Sequence, residues 1–270
     1  PAALAPHPAG AQASNGTPTP ASGTVVYDGR TTPGVEKITI GSSTATIDWD
    51  PATNDFLQAG NTATFTSSSG VTHYTVLNRV VAPDQTNPIQ LNGHVISTLE
   101  DTATIGGNVW FWSPSGILVG SSAQFDVGGL LLTSAFTPDL DEDGNPDFSS
   151  DNGMFSFHGV AAASGSRIEI QEGAKINALQ QDSYVALIAP TIEQHGTVDV
   201  NGSVAYVAAE QLTMTMDHGL FDVSVEVGSE SANAIVHRGV TTGDGNATEF
   251  DNHRIYMVAV PKNDAISLLL

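Results

Sequence analysis

The chain has 270 residues, with 8 basic against 29 acidic side chains, a formal net charge of −21 and no cysteine. Such a charge excludes a nucleic-acid partner, because phosphate recognition needs clustered Lys and Arg, and it repels anionic membrane surfaces. The lack of cysteine excludes disulfides and thiolate metal sites. Only 14% of the residues are charged, below the usual quarter, so Ser, Thr, Asn and Gly supply the polarity.

Residues 1–23 are Pro, Ala, Gly, Ser and Thr with almost no apolar bulk. Such a segment buries too little surface to offset its ordering entropy, which predicts a flexible leader. Ala11-Gln12-Ala13 has the small-x-small form of a signal-peptidase site, so a signal-peptide remnant stays open as the second reading. No stretch approaches the ~20 apolar residues of a membrane span, so no membrane insertion is expected. Short strands are predicted at 24–27, 37–40, 45–49, 63–65 and 73–77, where Thr, Val, Ile and aromatics dominate, as a pleated surface prefers.

Between Leu77 and Ser134 short apolar runs alternate with Gly, Pro, Ser and Asn. Val109 and Phe111, then Ile117 and Val119, lie two apart, which is the strand period. Ser113-Pro114-Ser115-Gly116 between them has turn chemistry, since Pro presets φ at the second turn position and Gly supplies a positive φ near the end. Each run is too short for a helix, and the Gly and Pro would break one.

Two insertions are expected, near 138–152 and 221–250. In the first, Asp139, Asp141, Asp143, Asn145 and Asp147 have the alternating spacing of a calcium loop around Gly144. Ser150 stands where a bidentate Glu is usual, so the segment is either a calcium site or a solvated acidic insertion. The histidines are scattered without metal-ligand spacing, and no G-x-S-x-G elbow is present.

From Met154 onward the chain repeats loosely. Residues 173–178 are echoed by 196–201, twenty-three positions later, and 183–189 by 203–208. Residues 167–170, 191–193 and 212–214 form a third series. Three short strands recurring every ~20–24 residues describe coils of a parallel β-helix with inward ladders of Ile, Val, Leu and Ala. At ~22 residues per coil, 24–215 would give roughly nine coils and a rod about 40 Å long. An antiparallel sandwich is the competing architecture. Asp222 to Val227 is strand-like within the second insertion, and 255–260 returns to strand character. The apolar end, 266–270, is uncapped, and predicts an N-terminal piece of a longer chain.

Four of these elements together resemble the N-terminal secretion domain of filamentous-haemagglutinin-like exoproteins, the two-partner-secretion domain of Gram-negative bacteria. Asn78-Arg79-Val80 matches the family's N-R-V. Asn87-Pro88-Ile89 through Gly93 matches its S-x-I-x-G element loosely. Ser113-Pro114-Ser115-Gly116-Ile117 matches its N-P-N-G-I turn, with Ser for both Asn, and Ala123 through Ser134 matches its A-x-x-x-V-G-G-L-x-x-S-T closely. With Ile38 to Trp49 also fitting, the likeness covers roughly 35–215.

The resemblance implies an all-β, right-handed parallel β-helix with an N-terminal cap and extra-helical insertions, occupying 24–270. It implies a non-enzymatic secretion address, recognised by the periplasmic POTRA domains of a cognate outer-membrane β-barrel transporter and folding outside the cell. A polygalacturonase-like β-helix enzyme would need D-D, G-H-G and R-I-K motifs, and the chain has none of them. The downstream chain would be adhesin-like and secreted or surface-exposed, with host glycans or proteins as further partners. Asn78, Arg79, Asn87, Pro88, Ser113, Pro114, Ser115, Gly116 and Ile117 are the candidate recognition residues, with a purely structural role for Asn78 and Gly116 as the other reading. A stand-alone adhesive or glycan-binding module is the alternative function.

Overall fold

The computed structural model describes residues 13–28, 32–100, 104–135, 154–159, 165–217, 220–243 and 253–262. Each turn of the chain contributes one strand to each of three parallel faces. The first coil comprises β3 (Val35–Ile40), β4 (Thr44–Asp50) and β5 (Asp55–Leu57), preceded by β1 (Thr17–Ser22) and β2 (Val25–Asp28). The second is β6 (Thr62–Ser67), β7 (Thr75–Val80) and β8 (Ile89–Leu91), and the third β9 (His94–Thr98), β10 (Asn108–Trp112) and β11 (Ile117–Val119). The fourth runs from β12 (Gln124–Asp126) through β13 (Gly129–Thr133), leaves the helix for β14 (Met154–Gly159), and closes with β15 (Arg167–Ile170).

In the fifth coil β16 (Lys175–Ala189) bends across two faces before β17 (Thr191–Gln194). In the sixth, β18 (Thr197–Ala208) does the same, β19 (Gln211–Asp217) and β20 (Leu220–Val227) depart, and β21 (Ile235–His237) completes the turn. The described residues end on β22 (Val240–Thr242) and β23 (Ile255–Ala259).

The first face stacks β3, β6, β9, β12, the start of β16, the start of β18, and β22, all parallel. The second stacks β4, β7, β10, β13, the ends of β16 and β18, and β23. The third stacks β5, β8, β11, β15, β17 and β21. This is the expected parallel β-helix, and the sandwich is excluded because the pairing between successive coils is parallel.

Among the described residues six complete coils and the start of a seventh are present rather than nine, a rise of roughly 30 Å at ~4.8 Å per coil. Val35 pairs with Thr62, Thr62 with His94 and His94 with Gln124, so the early coils take 27, 32 and 30 residues. Only Lys175 to Thr197 shows the 22-residue step. The expected period came from that regular part and does not hold for the longer corners upstream.

The N-terminal end is closed by β1, antiparallel to β4, and β2, antiparallel to β3. The leader expected over 1–23 is therefore structured from Ala13, which is buried, through Ser22. Pro18 and Pro20 suit an edge strand, because they withhold the N–H groups that would invite another strand. The backbone N–H of Ser14 donates to the buried Glu36 carboxylate at 3.1 Å, and Asn61 Nδ2 to the Ala13 carbonyl at 3.0 Å.

The insertions also differ from expectation. Residues 212–214 are not part of the coil series, because β14, β19 and β20 form one antiparallel sheet outside the helix. The second departure thus begins at Gln211, and β21 and β22, inside the expected 221–250 insertion, belong to coils. Leu212, Met214, Met216, Phe221, Val223 and Val225 on that sheet pack against Leu77, Trp110, Leu131, Ile188 and Val207, which point outward from the second face. That face is consequently buried on both sides. Double burial explains why β13 and the end of β16 read as continuous apolar runs rather than an alternation.

Candidate functional site

The motif stretch lies across the second, third and fourth coils, and the register of the faces brings its pieces to one corner, between the second and third faces. Asn78, on β7, is aligned with Ile47 on β4 and Phe111 on β10 and points into the helix. It is fully buried. Its Oδ1 accepts the Trp49 indole N–H at 3.0 Å, and its Nδ2 donates to the Trp110 carbonyl at 3.1 Å. One amide thus ties three successive coils, and both of its polar atoms are satisfied, as burial demands.

Arg79, the next residue, points outward. Its Nε and Nη2 donate to the two carboxylate oxygens of Asp48 on β4 at 2.6 and 2.8 Å, a bidentate pair on the surface of the second face. Asn87 is exposed in the following corner, where its Nδ2 donates to Asp84 at 2.8 Å. Hydrogen bonds from Thr86 and Asn87 hold the Asp84 carboxyl below the usual carboxylate range. Asn54, one coil earlier at the same corner, donates its Nδ2 to the carbonyls of Asp84 and Asn87 at 2.9 and 2.8 Å. Pro88 is buried where the chain enters β8.

One coil on, Ser113 to Gly116 forms the expected turn, closed by Gly116 N–H donating to the Ser113 carbonyl at 3.1 Å. The hydroxyls of Ser113 and Ser115 meet at 3.1 Å, and both residues are buried. Pro114 is half-buried, and Ile117 is fully buried in its ladder between Ile89 and Ile168. Gly116 has φ +96, and a Cβ there would strike the Arg167 carbonyl. It therefore combines a backbone conformation and a close approach that only glycine tolerates. Its own carbonyl accepts the Ile89 N–H at 3.1 Å, linking the turn back to the Asn87–Pro88 corner.

The structure therefore brings all nine candidate residues together, six of them buried: Asn78, Pro88, Ser113, Ser115, Gly116 and Ile117. Arg79, Asn87 and Pro114 reach the surface. Asp48, Asn54 and Asp84 belong to the same corner and escaped sequence reasoning. Asp48 meets Arg79 across 31 positions, and no local pattern signals such a pair. The expected calcium ligands Asp139, Asp141, Asp143, Asn145 and Asp147 lie outside the described residues.

A family model described as the TPS secretion domain matches residues 9–258, a longer span than the motifs alone indicate. Among solved structures, the chain is similar to the crystal structure of the HMW1 secretion domain from Haemophilus influenzae, with a TM-score of 0.61 and 16% identity. The match covers 90% of this chain and 62% of that one, so this chain spans less than two thirds of its length. At that identity the likeness concerns the fold. No curated protein matches the chain.

Proposed function

The chain belongs to the TPS secretion-domain family, and from that premise we propose that it is the secretion-targeting part of an exoprotein, read by a dedicated outer-membrane transporter before it folds. The observation that carries this reading is the burial of the motif. Six of the nine motif residues are inaccessible once the coils have stacked, so a partner that reads them must meet the chain unfolded. The transporter's periplasmic POTRA domains would supply that contact. The same side chains would then serve the coil stack outside the cell, where burial of apolar ladders at ~25 cal/mol per Å² gives folding a direction. The downstream chain would be adhesin-like, and the product secreted or held at the cell surface.

Two measurements test this. Export of the full exoprotein should require co-expression of its transporter. In addition, urea-unfolded domain diluted onto the isolated periplasmic domains should be captured, whereas the folded domain should not. Equal capture of folded and unfolded chain would overturn recognition before folding.

A further inference from the structure

The three faces differ in what they turn outward. Along the first, Thr62, His94, Gln124 and Lys175 succeed one another, and along the third, Gln90, Leu118, Glu169 and Glu193 do so. The matching row on the second face is Leu77, Trp110, Leu131, Ala186 and Ala205, all fully buried. Its cover comes from β19 and β20, which form one sheet with β14.

That cover is held on by side chains. Among the described residues, no strand of its sheet is hydrogen-bonded to a strand of the coils, whereas successive coils share backbone ladders. Phe221 stands edge to face with Tyr184 on β16 and with Tyr256 on β23, at ring-centroid distances of 6.2 and 5.6 Å. Leu212, Met214, Met216, Val223 and Val225 add apolar contact of no fixed direction.

The base of the excursion is fastened differently. Glu210, just before β19, donates its N–H to the Val227 carbonyl at 2.9 Å. The Lys262 ammonium, beyond β23, reaches Glu210 Oε2 at 3.0 Å and Glu230 Oε1 at 2.7 Å. One lysine thus holds both ends of the chain that leaves the coils for β19 and β20.

Chain order separates stacking from covering. The strands that build the covered row, β7, β10, β13, β16 and β18, all precede β19. β19 and β20 pair locally, Asp217 with Leu220, so they form a hairpin at little loop-closure cost. β14 must wait for β19, with Met154 opposite Asp217, and Lys262 follows all of them.

We propose that this sheet is a strap that closes over coils already stacked, opens without unstacking them, and is fixed at its base by Lys262. An interface of side chains alone suits sub-global opening, because parting it breaks no ladder between coils. The open strap uncovers the apolar row from Leu77 to Ala205, and closing it seals that surface. The strap belongs to the folded domain and does not depend on how the chain is exported.

The chain has no cysteine, so single introduced thiols report opening. Ala186 and Ala189 are both fully buried on β16, the first under the strap and the second in the helix interior. Relative to its own unfolded rate, Ala186→Cys should react with a thiol reagent at least about 10-fold faster than Ala189→Cys under native conditions. Its rate should also depend less on urea, since strap opening exposes less surface than unfolding. During refolding, pulsed labelling should find position 189 protected before position 186. Adding Phe221→Ser should speed labelling at 186 by about 100-fold or more, and Lys262→Met by about 2- to 5-fold, with 189 unchanged in both. Equal rates with equal urea dependence, simultaneous protection on refolding, or acceleration at both positions alike would overturn the strap. So would a Phe221→Ser chain that failed to fold, because the stack would then need its cover. Unchanged labelling in Lys262→Met would overturn the role of the lysine.

Discussion

Between β3 and β12 each turn takes 27 to 32 residues, and aromatic rings cross the interior edge to face. Tyr27, Trp49, Phe56, Phe111 and Phe125 succeed one another at 6.2, 5.1, 6.5 and 6.5 Å. Between β16 and β18 the turn takes 22 residues, and Val185, Leu187, Val198, Val200 and Val204 contribute aliphatic packing to the interior. Order is specified differently in the two regions. A regular coil needs only aliphatic ladders in register, because every side chain meets its equivalent in the next turn. An irregular coil loses that repetition, and its alignment rests on individual side chains, here Asn78 with Trp49 and Gly116 against Arg167.

Six substitutions, two of them controls, probe this contrast, beginning with the most destabilising. Gly116→Val should cost about 3–5 kcal/mol in denaturant unfolding, summing a forced positive φ and a steric clash with the neighbouring coil. Gly165→Ala supplies the control, since it shares a positive φ, +89, but has open space around it, and it should cost only about 1–2 kcal/mol. Equal costs would mean that the coil contact at Gly116 is unimportant.

Asn78→Ala should destabilise by about 2–3 kcal/mol, because it strands the Trp49 indole N–H and the Trp110 carbonyl. Val200→Ala in the regular half should cost about 1.5 kcal/mol, the transfer energy of the carbon lost. If the valine proved the more costly of the two, the distinction between the halves would fall.

Arg79→Ala removes a surface ion pair and should change stability by less than about 1 kcal/mol. Export is therefore the informative readout. Lost secretion with an unchanged melting temperature would assign Arg79 to partner recognition, and full secretion would remove it from that role.

The smallest effect concerns pH at Asp126, which joins the two halves. It accepts from His94 at 2.6 Å, Gln124 at 2.7 Å and Asn177 at 2.8 Å. Burial pushes its pKa up, but the bonds from Asn177, His94 and Gln124 outweigh burial and hold it below the ordinary value. Its contribution to stability is then present above the unfolded carboxylate pKa near ~4, and is lost as pH falls through the lower folded value. Asp126→Asn should flatten the acid limb of a melting-temperature profile below about pH 4, and leave the shape of the profile above it unchanged.

The motif corner was legible in part. Pro114 and Gly116 announce a turn through their own backbone preferences, and the turn is there. Direction was not legible. Asn78 and Arg79 are neighbours, yet one faces the core and the other the solvent, and an isolated polar residue at the end of an apolar strand does not reveal its side. The N-terminal strand was also hidden. Pro18 and Pro20 argue for disorder in composition, and only the open edge of β4 turns that segment into a strand.

The all-β class, the parallel stacking and the family are written in the sequence, because strand period, turn residues and motif order are local properties carried along the chain. The number of coils, the closing of the N-terminal end, and the union of β14 with β19 and β20 over the second face emerge at the tertiary level. So does the burial of particular motif residues. Those outcomes depend on pairings between residues about 10 to 60 positions apart. In a solenoid such pairings are set by the accumulated lengths of the intervening corners, and no local window of sequence contains that sum.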